Sequence, residues 1–218
     1  MEIWQELAKS EVFKSIDEQS IKALNFCFKS RLKLVEKNQI VVNAGDTNDY
    51  CIFVLKGKLK AVSYDYYGIE SLVNVYNKGD IFGINEAYTN CDVYRNSLVA
   101  TEKSTIILFN RFRFIKECDN HCARHKQLIK NITNLIVKSN LEMTEKINVL
   151  QKRTIREKVL AYLHNISKNE NSKYFDIPLN RQELANYLAI DRSALSIELA
   201  KMKKDGLIDY NKNHFNLK

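Results

Sequence analysis

Two short helical patterns separated by only three residues constrain this chain more than any other feature. The first follows Asn180, and Glu183 lies three residues later, which is the spacing of a capping box at the start of a helix. The second follows Asp191, which can cap it, and ends before Gly206. A closing β-hairpin is expected over 207–217. The sequence therefore predicts a winged helix-turn-helix at this end of the chain.

The outer face of the second predicted helix is polar and basic. When such a helix enters the major groove of DNA, Arg can donate two hydrogen bonds to guanine, and Ser can bind a base or a phosphate. From residue 151 onward there are 13 Lys and Arg against 8 Asp and Glu, so this third carries +5 of the net charge of +8. A basic surplus favours a polyanionic partner, and we predict double-stranded DNA. The predicted contacts are Arg181, Gln182, Arg192, Ser193, Ser196, Ile197 and Lys203.

Glycines punctuate the first half of the chain at regular intervals. Gly45, Gly57, Gly68 and Gly79 are 12, 11 and 11 residues apart, and β-branched or aromatic runs of strand length lie between them. Further strand-like runs follow up to residue 109. Regular turns between short strands are typical of an antiparallel barrel or sandwich.

The period changes to that of a helix from about residue 112. No glycine or proline interrupts 112–150, and apolar residues such as Ile129, Ile132 and Ile136 recur at steps of three and four. This spacing favours pairing with a second helix, so we predict a parallel homodimer. The alternative is a long helix packed on its own domain. The predicted fold class is α+β, and its parts are an N-terminal antiparallel β-roll with N-terminal helices (1–111), a long dimerisation helix (112–150) and a C-terminal winged helix-turn-helix (151–218).

Several classes of protein are disfavoured by the sequence. No apolar run approaches the roughly 18 residues of a membrane span, and the N-terminal residues lack the pattern of a signal peptide. The five cysteines are odd in number and scattered, unlike a secreted disulfide framework. All four histidines lie outside the strand region of the predicted β-roll, and no catalytic motif is recognisable. We therefore expect a cytoplasmic protein that does not contact a membrane and is not an enzyme.

The order of β-roll, long helix and winged helix resembles the Crp/Fnr family of bacterial transcription regulators. The resemblance covers essentially the whole chain and rests on residues 43–60, 77–83, 152–163 and 179–209. It implies a cyclic-nucleotide-binding-like β-roll that senses an effector. It also implies a homodimer joined through the long helix, a roughly palindromic DNA site, and contact with RNA polymerase if the protein is an activator.

Two positions in the second helix of the motif can be compared with the family residue by residue. Arg192 matches the first arginine that the resemblance implies for the recognition helix. Ile197 stands where several relatives carry another arginine. An isoleucine can instead contact the methyl group of a thymine, so we expect a different half-site.

The family resemblance also bears on the effector. In members that bind cyclic AMP, an arginine pairs with the cyclic phosphate and a glutamate with the ribose. Here Tyr94 falls at the position of that arginine, and the neighbouring Arg95 would point to the other face of a strand. Asp80 replaces the longer glutamate. We therefore expect an effector other than cyclic AMP, and the candidate effector-binding residues are Gly79, Asp80, Phe82, Gly83, Arg95, Asn96 and Ser97.

One cluster of cysteine and histidine follows the β-roll. Cys118, His121, Cys122 and His125 are spaced so that they share one face of a helix. Thiolate and imidazole suit zinc, iron or haem, but four side chains of one straight helix cannot surround an ion tetrahedrally. The sequence therefore leaves three alternatives for the cofactor: a metal ion whose remaining ligands come from other residues, haem, or none. The cluster can also be a thiol switch or simply pack in the protein interior. The alternatives for function are a haem-, metal- or thiol-based redox or gas sensor, or a regulatory module that does not bind DNA.

Overall fold

The computed structural model describes residues 3–89, 91–116 and 122–218. Contacts divide the chain into two units, with the boundary between Val137 and Lys138. The helices are α1 (Ile3–Ala8), α2 (Glu18–Phe28), α3 (Ile84–Tyr88), α4 (Arg111–Ile115), α5 (Ala123–Leu150), α6 (Ile155–Glu170), α7 (Arg181–Tyr187) and α8 (Arg192–Lys204). The strands are β1 (Arg31–Val35), β2 (Ile40–Val42), β3 (Tyr50–Lys56), β4 (Leu59–Tyr64), β5 (Glu70–Tyr76), β6 (Ile81–Phe82), β7 (Ser97–Ala100), β8 (Ser104–Asn110), β9 (Tyr174–Asp176), β10 (Ile208–Asn211) and β11 (His214–Leu217).

The first unit contains two four-stranded antiparallel sheets, with strand orders β1-β8-β3-β6 and β2-β7-β4-β5. Both sheets contribute to one core cluster, in which Ile52 and Val54 of β3 pack with Leu59 of β4 and Leu98 of β7. All four side chains are fully buried. Together with α5 and the C-terminal helices, this confirms the predicted α+β fold class with an N-terminal antiparallel β-roll.

A second core of the first unit joins the sheet β1-β8-β3-β6 to the helices. Its centre is aromatic: Phe28 of α2 lies edge-on to Phe109 of β8 and Phe114 of α4, with ring centroids 5.7 and 5.2 Å away. Leu128 and Ile132 of α5 belong to the same cluster and are fully buried. Trp4, the only tryptophan of the chain, packs against it from α1.

One of the regularly spaced glycines is required by a close approach as well as by its backbone. Gly57, in the turn between β3 and β4, has φ +92°. A Cβ atom at this position would lie 2.8 Å from the Cα atom of Ser104, which is closer than carbon atoms approach. Glycine has no Cβ and readily adopts positive φ, so it alone fits this turn without strain.

The predicted uninterrupted helix over 112–150 is wrong at its start. The structure has a short helix, α4, that ends at Ile115, and Lys116 adopts an extended conformation. The long helix α5 begins at Ala123 and has 28 residues. The absence of glycine and proline did not ensure continuity, because Phe114 of α4 is buried in the aromatic core and anchors that short helix separately. Neither α5 nor any other helix in the described part of the chain is long and apolar enough to cross a bilayer.

The two halves of α5 differ in exposure. Ile132 is fully buried in its own unit, as the packed alternative expects. Further along, Val137, Leu141, Met143 and Ile147 are 52–61% exposed. The apolar surface available to a second copy is therefore confined to the later part of the helix, and homodimerisation stays a prediction.

The second unit, from Lys138 onward, is built around one core. The helix α6 starts at a capping box between Thr154 and Glu157. It continues to Glu170. The strands form a small antiparallel sheet of order β10-β11-β9, which contains the predicted hairpin.

Candidate DNA-binding surface and effector site

The first helix of the helix-turn-helix is fixed by its N-terminal cap. The Asn180 side chain accepts hydrogen bonds from the backbone N–H groups of Gln182 (2.9 Å) and Glu183 (3.0 Å). The Glu183 carboxylate in turn accepts from the backbone N–H of Asn180 at 2.7 Å. This reciprocal pair is the predicted capping box, and it satisfies N–H groups that would otherwise lack partners.

The second helix, α8, is capped by Asp191. Its carboxylate accepts hydrogen bonds from the backbone N–H groups of Ser193 and Ala194, and also from the Ser193 hydroxyl. The hydroxyl and then the backbone hydrogen bonds hold the pKa of Asp191 below its usual value. The carboxylate is therefore committed to the start of α8.

Buried side chains hold α7 and α8 together. Leu184 and Ala185 of α7 and Leu195, Leu199 and Met202 of α8 are all fully buried in one cluster. The small Ala185 permits the close approach that the short turn requires. Since these residues occupy the inner face of α8, the opposite face is left to solvent.

The outer face of α8 presents four of the predicted contacts together. Arg192, Ser193, Ser196 and Ile197 are all exposed. Ile197 is 58% exposed and is not a member of the buried core cluster of this unit. The Ser196 hydroxyl donates to the backbone carbonyl of Arg192 at 3.0 Å. The surface combines one cation, two hydroxyl groups and one apolar side chain, which is a set able to contact base edges in a groove.

The predicted contacts Arg181 and Lys203 lie on either side of the hairpin residue Tyr210. The guanidinium of Arg181 is 5.2 Å from the ring centroid of Tyr210, and Lys203 Nζ is 5.5 Å from it. Arg181 also donates to the backbone carbonyl of Lys212, and Lys203 pairs with Asp209 at 2.6 Å. Burial lowers the pKa of Arg181. These two cations hold the hairpin against the helices.

Gln182 is exposed at the start of α7, and its side-chain amide donates to Asn186 at 3.0 Å.

Sequence reasoning missed a residue of α6 that contacts a side chain of α8. Arg156 of α6 pairs with Glu198 at 2.6 Å. The available signal was Glu198 itself, an acidic residue at a position where the family motif commonly has an apolar one.

The candidate effector residues differ in their environment: some lie in a turn, some are exposed and some are buried. In the turn, the Asp80 carboxylate accepts from the backbone N–H of Asn77 at 2.8 Å, and the N–H of Gly79 donates to Val54. Arg95 is exposed and Asn96 is half-buried. The Ser97 hydroxyl oxygen accepts from the backbone N–H of Ala44 at 2.9 Å. Asp80 and Ser97 therefore each accept a hydrogen bond from a backbone N–H group of the β-roll.

The buried group is organised by Tyr94, which sequence reasoning identified only as the replacement of an arginine. The Tyr94 ring stacks on Phe82 at 5.5 Å. Its hydroxyl donates to the carbonyl of Tyr50 at 2.7 Å and accepts from the Tyr50 N–H at 3.3 Å. Burial raises the pKa of Tyr94. A Cβ atom at Gly83 would lie 3.3 Å from this ring, so the interior is closely packed at this point.

The cysteine and histidine cluster is only partly described. Cys118 and His121 lie outside the described residues. Cys122 is half-buried next to the start of α5. His125 is 2% exposed, its ring centroid lies 5.3 Å from that of Phe28, and its Nε2 is 3.4 Å from the carbonyl oxygen of Phe114. Within the described ranges, no three His, Cys, Asp or Glu residues are grouped as a metal site would need.

Two family models match the chain. One describes a cyclic nucleotide-binding domain and matches residues 32–121. The other describes a Crp-like helix-turn-helix domain and matches residues 157–218. Together the two matches cover more than two-thirds of the chain, and they coincide with the β-roll and the winged helix.

Curated relatives and solved structures agree with these matches. The chain is 23% identical over 199 residues to the anaerobic regulatory protein of Haemophilus influenzae, covering 89% of this chain and 75% of that protein. It is 21% identical over 184 residues to electron transport regulator A of Shewanella oneidensis, covering 82% and 71%. The catabolite activator protein of Thermus thermophilus has the same fold, with a TM-score of 0.55 and 17% identity over 96% of this chain and 94% of that one.

The global regulator CLP of Xanthomonas campestris, described as c-di-GMP-responsive, also has a TM-score of 0.55, with 18% identity over 92% of this chain and 99% of that one. All four of these proteins are named as regulators or activators, which agrees with the prediction that the chain is not an enzyme. The matched domains, their order and these relatives lead to one conclusion: the chain belongs to the Crp/Fnr family of transcription regulators.

Proposed function

We propose that the protein is a cytoplasmic homodimer that binds a specific, roughly palindromic duplex through the outer faces of two α8 helices. The observation that carries this proposal is the exposure of Arg192, Ser193, Ser196 and Ile197 on one face of a capped helix. The helix is held from behind by a buried core, so its outer face is pre-organised for a groove. The exposed apolar residues of α5 between Val137 and Ile147 support pairing with a second copy.

The test of DNA binding begins with selection of duplexes from a random library by the purified full-length protein. Wild-type protein is expected to enrich an inverted repeat and to lose affinity steeply as salt rises. Arg192→Ala should lower affinity for the selected duplex by about 1–3 kcal/mol while changing affinity for a scrambled duplex much less. Equal losses on both duplexes would remove the base-reading role of Arg192. Failure to enrich any sequence would favour a regulatory module that does not bind DNA.

We propose that an effector regulates the protein by binding the β-roll or its junction with α5 and favouring one conformation of the dimer. Cyclic AMP is not the proposed effector. Tyr94 supports this, because its ring and hydroxyl are engaged by Phe82 and Tyr50 at the position where the resemblance implies an arginine. Titration calorimetry with cyclic AMP is expected to give no saturable heat, and a stoichiometric binding isotherm would contradict the proposal.

A haem-, metal- or thiol-based sensor is the second candidate, and the names of the relatives favour it. Two of them are named as an anaerobic regulatory protein and an electron transport regulator. The buried contacts of His125 with Phe28 and Phe114 fit a core residue better than a ligand, so the variants that test this candidate are made at the half-buried Cys122 and at His121. An anaerobic absorption spectrum and metal analysis, before and after addition of haemin, test this candidate. A stoichiometric Soret band or bound metal that Cys122→Ala or His121→Ala removes would support it, and no signal would leave the cluster as packing.

If the protein activates transcription, RNA polymerase is its further proposed partner. Transcription from a promoter that carries the selected site, with purified polymerase, tests this. An increase in transcript would support activation and contact with polymerase, and a decrease would indicate repression.

A further inference from the structure

One side chain of α6 bridges two carboxylates of the DNA-facing helix or its cap. Arg156 lies in the first turn of α6. Its Nε atom is 2.6 Å from Oε1 of Glu198, and its Nη2 atom is 2.8 Å from Oδ2 of Asp205. The hydrogen bond to Glu198, and then that to Asp205, raises the pKa of Arg156. Arginine suits this task because its planar guanidinium presents several donors in a fixed arrangement.

The two carboxylates are attached at different points along α8. Glu198 lies in the middle of the helix, and Asp205 is its C-cap residue. Seven residues separate them, which is about two helical turns, so both face the same side. Contacts at two points along one side oppose both sliding of the helix along its axis and rotation around it. The apolar core alone fixes rotation less strictly, because its contacts are not directional.

The rotation of α8 determines where the outer side chains point. Ile197 precedes Glu198 directly and is therefore only about 100° away around the helix. The Glu198 side chain is 18% exposed, whereas Ile197 is 58% exposed. A small rotation of the helix would move Ile197 and Arg192 relative to the bases that they are proposed to contact.

We propose that Arg156 is a positioning residue that, through Glu198 and Asp205, sets the rotation of α8 and thereby the DNA sequence that this protein selects. This inference rests on the proposed DNA-binding function. Arg156 itself is not proposed to contact DNA, since its donors are directed to the two carboxylates.

The decisive variant is Glu198→Gln. The loss of its charge and the loss of its contact with Arg156 are expected to change the affinity for the selected duplex in opposite directions. Loss of a negative charge near DNA should by itself strengthen binding to every duplex, most visibly at low salt. Loss of the anchor should weaken binding to the selected duplex. We expect the ratio of affinities for the selected and scrambled duplexes to fall at least about 10-fold, within the range that one base contact carries.

Glu170→Gln is the matched control, because it removes the same charge from an exposed residue at the far end of α6. It should leave the ratio of affinities unchanged. Arg156→Lys provides a second variant that keeps the positive charge but loses the guanidinium fork, and it should lower the ratio as Glu198→Gln does. Thermal unfolding of each variant identifies any loss of fold, which would reduce binding to both duplexes together and leave their ratio unchanged.

The outcomes separate this inference from the proposed function. If the wild-type protein selects a sequence, but Glu198→Gln and Arg156→Lys keep its ratio of affinities, the positioning role is wrong and the DNA-binding proposal stands. If the wild-type protein selects no sequence, both are overturned. A lowered ratio in both variants, with Glu170→Gln unchanged, supports the positioning role.

Discussion

The interior of the β-roll and the outer face of α8 differ in whether their key side chains are bonded within the protein or exposed to solvent. In the interior, Tyr94 lies at the position where the resemblance implies a ligand-pairing arginine, and its hydroxyl bonds to the backbone of Tyr50. On α8, Arg192 and Ile197 are exposed. A buried side chain whose polar group already bonds to the protein has no group left to bind a charged ligand. An exposed side chain on a rigid helix is still available to bind a partner.

This difference indicates which end of the molecule departs from the family pattern. The helix-turn-helix keeps its cap, its core and its first arginine, with changes from the family pattern at Ile197 and Glu198. The β-roll keeps its glycine turns, but Tyr94 stacks on Phe82 at the position where the resemblance implies an arginine. We infer that the mode of DNA contact is closer to the family pattern than the mode of sensing.

The largest expected effect tests whether Tyr94 is a core residue. Tyr94→Ala removes a ring that is 2% exposed, and it should lower the free energy of unfolding by about 3–5 kcal/mol. Tyr94→Phe keeps the ring and loses only the hydroxyl, so we expect a loss of about 1 kcal/mol. Chemical denaturation of the two variants provides the measurement. Little destabilisation by Tyr94→Ala would indicate that the interior is open enough for a ligand.

The next effect concerns the side chain on α8 that departs from the family pattern. Ile197→Arg adds a donor pair to the exposed outer face, and it should change the preferred base at one position of each half-site to guanine, with discrimination of about 1–3 kcal/mol. Repeating the selection from a random library with the variant measures this change. Ile197→Val is the control and should keep the original sequence. An unchanged selection by Ile197→Arg would indicate that this position does not face the bases.

A smaller effect is expected at the cap of α7. Asn180→Ala removes the acceptor of two backbone N–H groups and should lower the free energy of unfolding of the second unit by about 1 kcal/mol. Asn180→Asp retains the acceptor and should preserve stability. Denaturation followed by far-ultraviolet circular dichroism measures both, and equal stability of all three proteins would contradict a stabilising role for the capping box.

The smallest effect is a pH dependence at the cap of α8. The pKa of Asp191 is lowered in the folded state, so its contribution to stability is present above its unfolded pKa and is lost as the pH falls through the folded pKa. We expect the wild-type protein to lose stability as the pH drops below the ordinary aspartate value, about 3.9. Asp191→Asn should depend less on pH in that window. Identical profiles of unfolding against pH would show that this carboxylate does not contribute.

The helix-turn-helix could be predicted from the sequence because its determinants are local. The cap at Asn180, the partner at Glu183 and the cap at Asp191 lie within a dozen residues of one another, and the structure has each of them. The exposed face of α8 followed from the same periodicity. Such features need no knowledge of distant parts of the chain.

Features that depend on distant residues were missed. The strands β1 and β2 precede the first regular glycine, and β1 is defined by pairing with β8, where Arg31 lies opposite Leu108. The position of Tyr94 was noted, but its bonds to Tyr50 join residues 44 positions apart. Arg156 and Glu198 are 42 positions apart. A sequence pattern within one segment does not indicate which distant side chain will contact that segment.

The position of Trp4 in α1 has a practical consequence for separating these events. As the only tryptophan, it gives a fluorescence signal from the first unit alone, since no other tryptophan occurs from Lys138 onward. Excitation at wavelengths that tyrosine does not absorb would therefore follow the β-roll while the helix-turn-helix stays optically silent. The protein therefore contains an intrinsic optical probe of its first unit, and no label is needed to compare the timing of changes in that unit with the proposed binding of DNA.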